Sequence, residues 1–145
     1  MTTLRQIIYK SQSTIDYSHQ DIETMMAHFR QKNAHFSVTG CLIYFDKTII
    51  QCLEGSKSSI EYIYASICND IRHQNVELIS NQAIEERDFS DWEMAVRYIP
   101  KENQTDSKRM LEVIGLYKKE KQLPIETMES RHYFQQFMRS MFGRA

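Results

Sequence analysis

The sequence has little of what usually gives a function away. Its three cysteines, Cys41, Cys52 and Cys68, are odd in number and include no C-x-x-C pair. That excludes a disulfide framework and a zinc-finger spacing, and leaves free thiols in a reducing compartment as the expectation, with no metal. With 4 glycines and 2 prolines the chain is neither fibrous nor of low complexity. No G-x-G-x-x-G follows a strand, so the turn that cradles a dinucleotide pyrophosphate is missing. An excess of one charge is missing too: 18 basic side chains stand against 19 acidic ones, which gives no broad field to gather phosphate backbones or anionic lipid. Nucleic acid is therefore not an expected partner. No stretch approaches the roughly 20 apolar residues of a membrane span, and Met1 to Arg5 lead into a strand-like segment without a long apolar leader. The chain is expected to stay in the cytoplasm, away from membranes. What is present is 145 residues, 41% hydrophobic and 26% charged, the balance of a globular domain with a real core.

Leu4 to Lys10 reads as a first strand, with Ser11 to Thr14 as the polar loop after it. Ser18 and Asp21 are spaced as a capping box, and Ile22, Met25, Met26 and Phe29 recur at helical period behind it, predicting a helix that ends near Asn33. Val38 to Phe45 and Thr48 to Leu53 are apolar runs separated by Asp46-Lys47, a hairpin signal. With a two-residue loop, Leu42 lies opposite Gln51. Leu42, Tyr44, Ile49, Gln51 and Leu53 then share one face, while Cys41, Ile43, Phe45, Ile50 and Cys52 share the other. Both faces are apolar, so both need cover. Ser58 and Glu61 suggest a second cap, followed by Ile60, Ile63, Tyr64, Ile67 and Ile71 at helical period. Val76 to Arg87 and Glu93 to Ile99 are weaker strand candidates.

This order predicts an α+β, ferredoxin-like fold: a five-stranded mixed sheet with two helices on one face. Pro100 to Ser107 closes that domain, giving expected boundaries of 1–100 and 101–145. The second segment carries two helical patterns, Met110, Val113, Ile114 and Tyr117, then Phe134, Phe137, Met138 and Met141, stopped by Gly143. These helices are expected to cover the second sheet face or to meet another subunit. About 45 residues are too few for an effector domain, so output through protein contacts is expected.

Gln51 stands out as an amide inside a run that a central strand would fill with apolar side chains. Burying it without partners costs roughly 1–3 kcal/mol, so either it meets something polar or its strand lies at an edge facing water. Tyr9 shares the parity of Ile7, and inside the core its hydroxyl needs a partner. Pattern alone goes no further.

Five segments in a fixed order go further: Ile7-Ile8-Tyr9-Lys10-Ser11; Asn33 with Val38-Thr39-Gly40-Cys41-Leu42; Gln51-Cys52-Leu53-Glu54-Gly55; Asp70-Ile71-Arg72-His73; and Arg87-Asp88-Phe89-Ser90-Asp91-Trp92-Glu93-Met94. In these the chain resembles the BLUF family, bacterial blue-light sensors using FAD. The resemblance implies non-covalent FAD, with Tyr9 as photochemical donor, Gln51 as the switching amide between that phenol and the flavin, and Asn33 on the pyrimidine edge. It aligns Met25 and Ile67 with residues that clamp the ring, positions that plain core packing explains equally well. Arg72 and His73 match a signature that touches the ribityl or phosphate part, with helix C-capping as the other reading, and Ser11 closes the first matching segment. Trp92 and Met94 match the pair that relays the change, and only a bulge would put them on opposite faces. Lys32 departs from the family, which often has Asn or His there. Lysine donates but does not accept, so a cofactor contact is altered unless the side chain is simply solvated.

The resemblance implies a photoreceptor that is not an enzyme, with an unidentified downstream protein and self-assembly as its partners. The readings weighed against it are a small flavin-dependent oxidoreductase and an interaction module that has lost its cofactor.

Overall fold

The structure is a computed structural model describing residues 3–121 and 128–142. The elements follow in the order β1 (Leu4–Ser13), α1 (His19–His35), β2 (Thr39–Phe45), β3 (Thr48–Ser56), α2 (Lys57–Cys68), β4 (His73–Ile84), β5 (Glu93–Tyr98), α3 (Gln104–Lys121) and α4 (Met128–Phe142). The strands form a five-stranded sheet in the order β4-β1-β3-β2-β5, antiparallel except where β5 runs parallel to β2. This is the mixed ferredoxin-like arrangement, and it puts β3, the strand carrying Gln51, inside the sheet.

The β2–β3 hairpin turns on Asp46 and Lys47, both with positive φ (44° and 65°), as a two-residue turn matched to strand twist requires. Leu42 pairs with Gln51. From that register every side chain has its expected face: Leu42, Tyr44, Ile49 and Leu53 pack under α1 and α2 with Ile7, Tyr9, Ile22, Met26, Ile60 and Ile63. Cys41, Ile43, Phe45, Ile50 and Cys52 form the opposite core. Cover for that second face comes from Met110, Val113 and Ile114 of α3 and Phe134, Phe137, Met138 and Met141 of α4. The tail helices therefore lie on the sheet, as one of the two expected arrangements has it. Gly143 and the side chain of Tyr117 lie outside the described residues.

Some local expectations are corrected. β1 continues through Ser11 to Ser13, because both serines are buried and satisfied: Ser11 Oγ meets His73 Nδ1 at 2.9 Å, and Ser13 N donates to Lys47 O at 2.7 Å. The N-cap of α2 is Ser56, whose Oγ accepts from Ser59 N, so the helix starts before Ser58. It also ends at Cys68, which leaves Ile71 in a loop and 88% exposed rather than on the buried stripe. The α1 cap is as read, with Ser18 and Asp21 exchanging side-chain to backbone bonds.

A bulge interrupts the β2–β5 pairing. Gly40 pairs with Glu93 and Cys41 with Ala95, which leaves Met94 unopposed at φ 89°. The extra residue separates its neighbours in facing. Met94 enters the core under α1 and α2, whereas Trp92 packs on the opposite side against Phe89 and Phe142.

Candidate functional site

The apolar stripes of α1 and α2 do not close fully on the sheet. Between them lies a solvent-open cleft lined from both helices and from the sheet. Met25, Met26 and Phe29 form one wall from α1, and Ile63 and Ile67 the other from α2. Tyr9, Leu42, Ile49 and Gln51 form the strand floor. The wall residues follow helical period and the floor residues alternate along strands. A period-2 surface thus faces two period-3.6 surfaces, and the gap between them is lined mostly by apolar side chains.

The floor carries a short polar chain. Tyr9 is fully buried, and its hydroxyl donates to Gln51 Oε1. Gln51, 6% exposed, turns its other end away and donates from Nε2 to Met94 Sδ at 3.3 Å. Burial pushes the Tyr9 phenol far above its ordinary range, so it remains a protonated donor at any working pH. Met94 is held from α1 as well, since Arg30 Nε donates to its carbonyl oxygen at 3.1 Å. A non-glycine residue at such a φ costs of order 1–3 kcal/mol and persists where surrounding contacts over-determine it.

Charge gathers at the mouth, which Asp70, Arg72, His73 and Lys32 line. Arg72 Nε and Nη2 grip the Asp70 carboxylate, at 3.0 and 2.5 Å for the shortest contact of each, and its guanidinium lies over the Phe29 ring at 5.3 Å. The Arg72 bonds hold the Asp70 carboxyl down at about 2. The α2 C-cap is Asn69, so Arg72 and His73 do not cap that helix. Burial lowers the His73 pKa, which favours a neutral ring beside Ser11. Lys32 is exposed, with its ammonium 5.6 Å from the centre of the Tyr62 ring.

Of the residues singled out in the sequence, Tyr9, Gln51, Asn33, Met25, Ile67, Lys32, Arg72 and His73 line the cleft. Ser11 and Met94 sit one contact behind it, through His73 and Gln51, and Trp92 lies beyond the sheet. Sequence reasoning passed over Tyr17, Ser66 and Asp70, which also line it. Asp70 was visible in the Asp-x-Arg-His segment, and Ser66 one position before Ile67, but Tyr17 precedes the α1 cap and follows no period.

A planar, mostly apolar ring with polar edges fits this cleft. Hydrocarbon walls stand on two sides, and the amides of Gln51 and Asn33 sit among them. Asn33 is 4% exposed and lines the cleft beside Gln51. A carboxamide there can donate and accept at once to the edge of a bound ring.

Comparisons with known proteins agree with that fit. The family model described as "BLUF: Sensors of blue-light using FAD" matches residues 4–95. "Photoactivated adenylate cyclase subunit beta" of Euglena longa is 34% identical over 92 residues, 63% of this chain and 11% of that protein. "Blue light- and temperature-regulated antirepressor BluF" of Escherichia coli (strain K12) is 36% identical over 81 residues, 55% of this chain and 20% of that one. The chain thus spans about a tenth to a fifth of the length of these curated relatives. Among solved structures, BlsA in its ground state is 27% identical with a TM-score of 0.64, covering 74% of this chain and 72% of that one. The dark-state structure of BlrB, at 22% identity, shares the fold at a TM-score of 0.69 over 97% of this chain and 98% of its own. With the family match spanning well over half of its length, the chain belongs to the BLUF family, photoreceptors that sense blue light with FAD.

Proposed function

We propose that the Tyr9–Gln51–Met94 chain is the switch of this photoreceptor, and that its output is a change of protein contacts. Bound FAD would lie between Met25 and Ile67, with Asn33 and Gln51 at its polar edges and Arg72 and His73 toward its ribityl and phosphate part. When lit, it supplies oxidising power. Tyr9, the cleft phenol hydrogen-bonded to Gln51, would give up an electron together with its hydroxyl proton, for which Gln51 Oε1 is the hydrogen-bonded acceptor.

One observation carries the reading: the Gln51 amide spends its oxygen on Tyr9 and its nitrogen on Met94. An amide has one accepting end and one donating end. Turned over, it presents oxygen to a thioether that cannot donate and nitrogen to a phenol oxygen that can accept. The Met94 contact is lost in one orientation and present in the other, so Met94 reads the state of Gln51. The strained bulge at Met94 then loses one of its two side-chain restraints, and β5 and the loop before it can relax.

That loop meets α4. Gln135 and Arg139 both donate to Asp88 O, at 3.0 and 2.7 Å, and Arg139 lies 4.9 Å from the centre of the Trp92 ring. This supports residues 1–100 as the sensor and 101–145 as the helical extension through which a partner protein, or a second copy of the chain, reads the state. Neither a hydride-donor site nor a substrate is required, and a non-enzymatic, cytoplasmic switch is the reading we adopt. No helix among the described residues is long and apolar enough to cross a membrane.

The test is the absorption spectrum before and after blue light. A reversible red shift is expected in the wild type and none in Tyr9→Phe or Gln51→Leu. A full shift in Tyr9→Phe removes Tyr9 from its role.

A further inference from the structure

Tyr9 has an aromatic neighbour that the switch does not use. The ring of Tyr64, on α2, lies 5.9 Å from that of Tyr9 between centroids, with the planes tilted at 60°, well inside the range of a contacting aromatic pair. Tyr64 is not part of the cleft wall. It lines a separate, smaller hollow between α2 and strands β1 and β4, on the same helix-covered face, with Arg5, Glu61, Leu78 and Asn81. Tyr9 is wholly buried, whereas Tyr64 is half-buried. The pair therefore forms a two-ring path from the floor of the cleft to water.

We propose that Tyr64 is a second electron donor of the photosite, refilling Tyr9 after Tyr9 is oxidised and so draining the oxidising equivalent away from Gln51. This rests on Tyr9 being the first donor. A phenol holds an oxidised state cheaply only if its proton can leave. Around the Tyr9 hydroxyl the proton acceptor is an amide oxygen, a weak base in an apolar floor. Tyr64, half-buried beside the Cys68 side chain, has solvent within reach to take its proton. Burial and the neighbouring Cys68 push the Tyr64 phenol up to about 12, so like Tyr9 it is protonated at rest and must shed its proton on oxidation. In the step, the Tyr64 O–H bond breaks and its proton passes to water. Its electron passes to the Tyr9 phenoxyl, and the proton parked on the Gln51 amide returns to the Tyr9 oxygen. Tyr64 ends oxidised and Tyr9 restored, with charge and atoms balanced.

Restoring Tyr9 by this route takes away the partner whose return reaction turns Gln51, so Tyr64 limits the yield of switching. Other phenols do not offer the same path. Tyr17, Tyr44 and Tyr98 form a separate ring series, 6.2 and 5.7 Å between successive centroids, and none of them pairs with the Tyr9 ring among the described residues.

The experiment illuminates the FAD-loaded protein with blue light, freezes it, and records tyrosyl radicals by electron paramagnetic resonance in the wild type, Tyr64→Phe and Tyr9→Phe. The expected result is a radical in the wild type that falls at least about ten-fold in Tyr64→Phe while the red shift persists with a higher yield. In Tyr9→Phe both should vanish. A radical of wild-type size in Tyr64→Phe, or none in the wild type, overturns the proposal; a red shift surviving in Tyr9→Phe overturns the switch reading instead. A second measurement needs no variant: after prolonged illumination in air, mass spectrometry locates tyrosine oxidation. A drain at Tyr64 predicts more modification there than at Tyr62, which is 56% exposed and is what a diffusing oxidant would attack first. Modification of Tyr62 equal to or above that of Tyr64 overturns it.

Discussion

Arg131 of α4 grips Asp88 at both oxygens, Nε to Oδ2 at 2.7 Å and Nη2 to Oδ1 at 2.9 Å, with the two side chains only 15% and 13% exposed. Asp88 Oδ2 also accepts from Gln6 Nε2 at 2.9 Å. The same Gln6 nitrogen donates to the buried carboxylate of Glu54, which in turn accepts from the backbone N–H groups of Asp88 and Phe89. The loop before β5 is thus tied to β1 and β3 from beneath and to α4 from above. Removing one partner of such a pair leaves a charge short of compensation, which costs about 3 kcal/mol. Arg131→Gln is expected to lower unfolding free energy by about that amount in urea melts, and to speed amide exchange in α4 before the sheet. Exchange in α4 at the wild-type rate would show that the pair does not hold the helix.

Gly40 lies at the bulge in the β2–β5 pairing. Its φ is 148°, and a Cβ added there would fall 1.9 Å from the carbonyl oxygen of Cys52 on the adjacent strand. The obstacle is backbone, so no side-chain rotation relieves it. Gly40→Ala must push β2 from β3 beside the residue that follows Gln51, and we expect a loss of about 2 kcal/mol or more together with weakened retention of FAD. Wild-type thermal stability in this variant would mean that the hairpin yields more easily than its geometry implies.

How far the sequence could be read depended on how local the signal was. Parity along Val38 to Leu53 placed every side chain of the hairpin once a two-residue turn was assumed, because a period of two propagates without error in a regular strand. The Ser18–Asp21 cap was legible for the same reason. Ser11 and Ser13 were misjudged as loop because polarity was read as exposure, yet each finds a partner on another strand or turn. Met94 and Trp92 could not be separated by counting, since a bulge is a property of two paired strands. The links from Gln6, Glu54 and Asp88 to Arg131 join residues far apart in the chain, and like-looking charges elsewhere are solvated. The roles of Tyr9, Asn33 and Gln51 came from resemblance, and pattern supplied only their faces.

Asp70 gives a pH dependence with a definite sign. The Arg72 side-chain hydrogen bonds lower its carboxyl to about 2, below an ordinary value of 3.8. A carboxylate whose pKa is lower in the folded protein contributes stability that is whole above the unfolded value and is lost as the proton binds. The contribution should fade between about pH 4 and pH 2, and be small because the pair is partly exposed. Arg72→Gln should return the Asp70 carboxyl toward its ordinary value in an NMR titration. A carboxyl still near 2 in that variant would assign the effect to groups other than Arg72.

Met94→Leu isolates the sulfur from the shape. The two side chains have similar volume, so packing should suffer by less than about 1.5 kcal/mol. Leucine cannot accept the hydrogen bond that Gln51 Nε2 makes to the thioether. That bond exists only while the Gln51 nitrogen points to residue 94, the orientation we assign to darkness. Its loss raises the dark state relative to the lit one, by about 0.5–1 kcal/mol for a weak neutral bond. If the bond is partly remade in the transition state for return, dark recovery slows by up to about 2- to 5-fold. The recovery time constant after a blue flash measures this directly, with Met94→Ala as the variant that loses both sulfur and volume. Faster recovery in Met94→Leu would mean that the sulfur stabilises the lit arrangement, and the assignment of the two amide orientations would have to be exchanged.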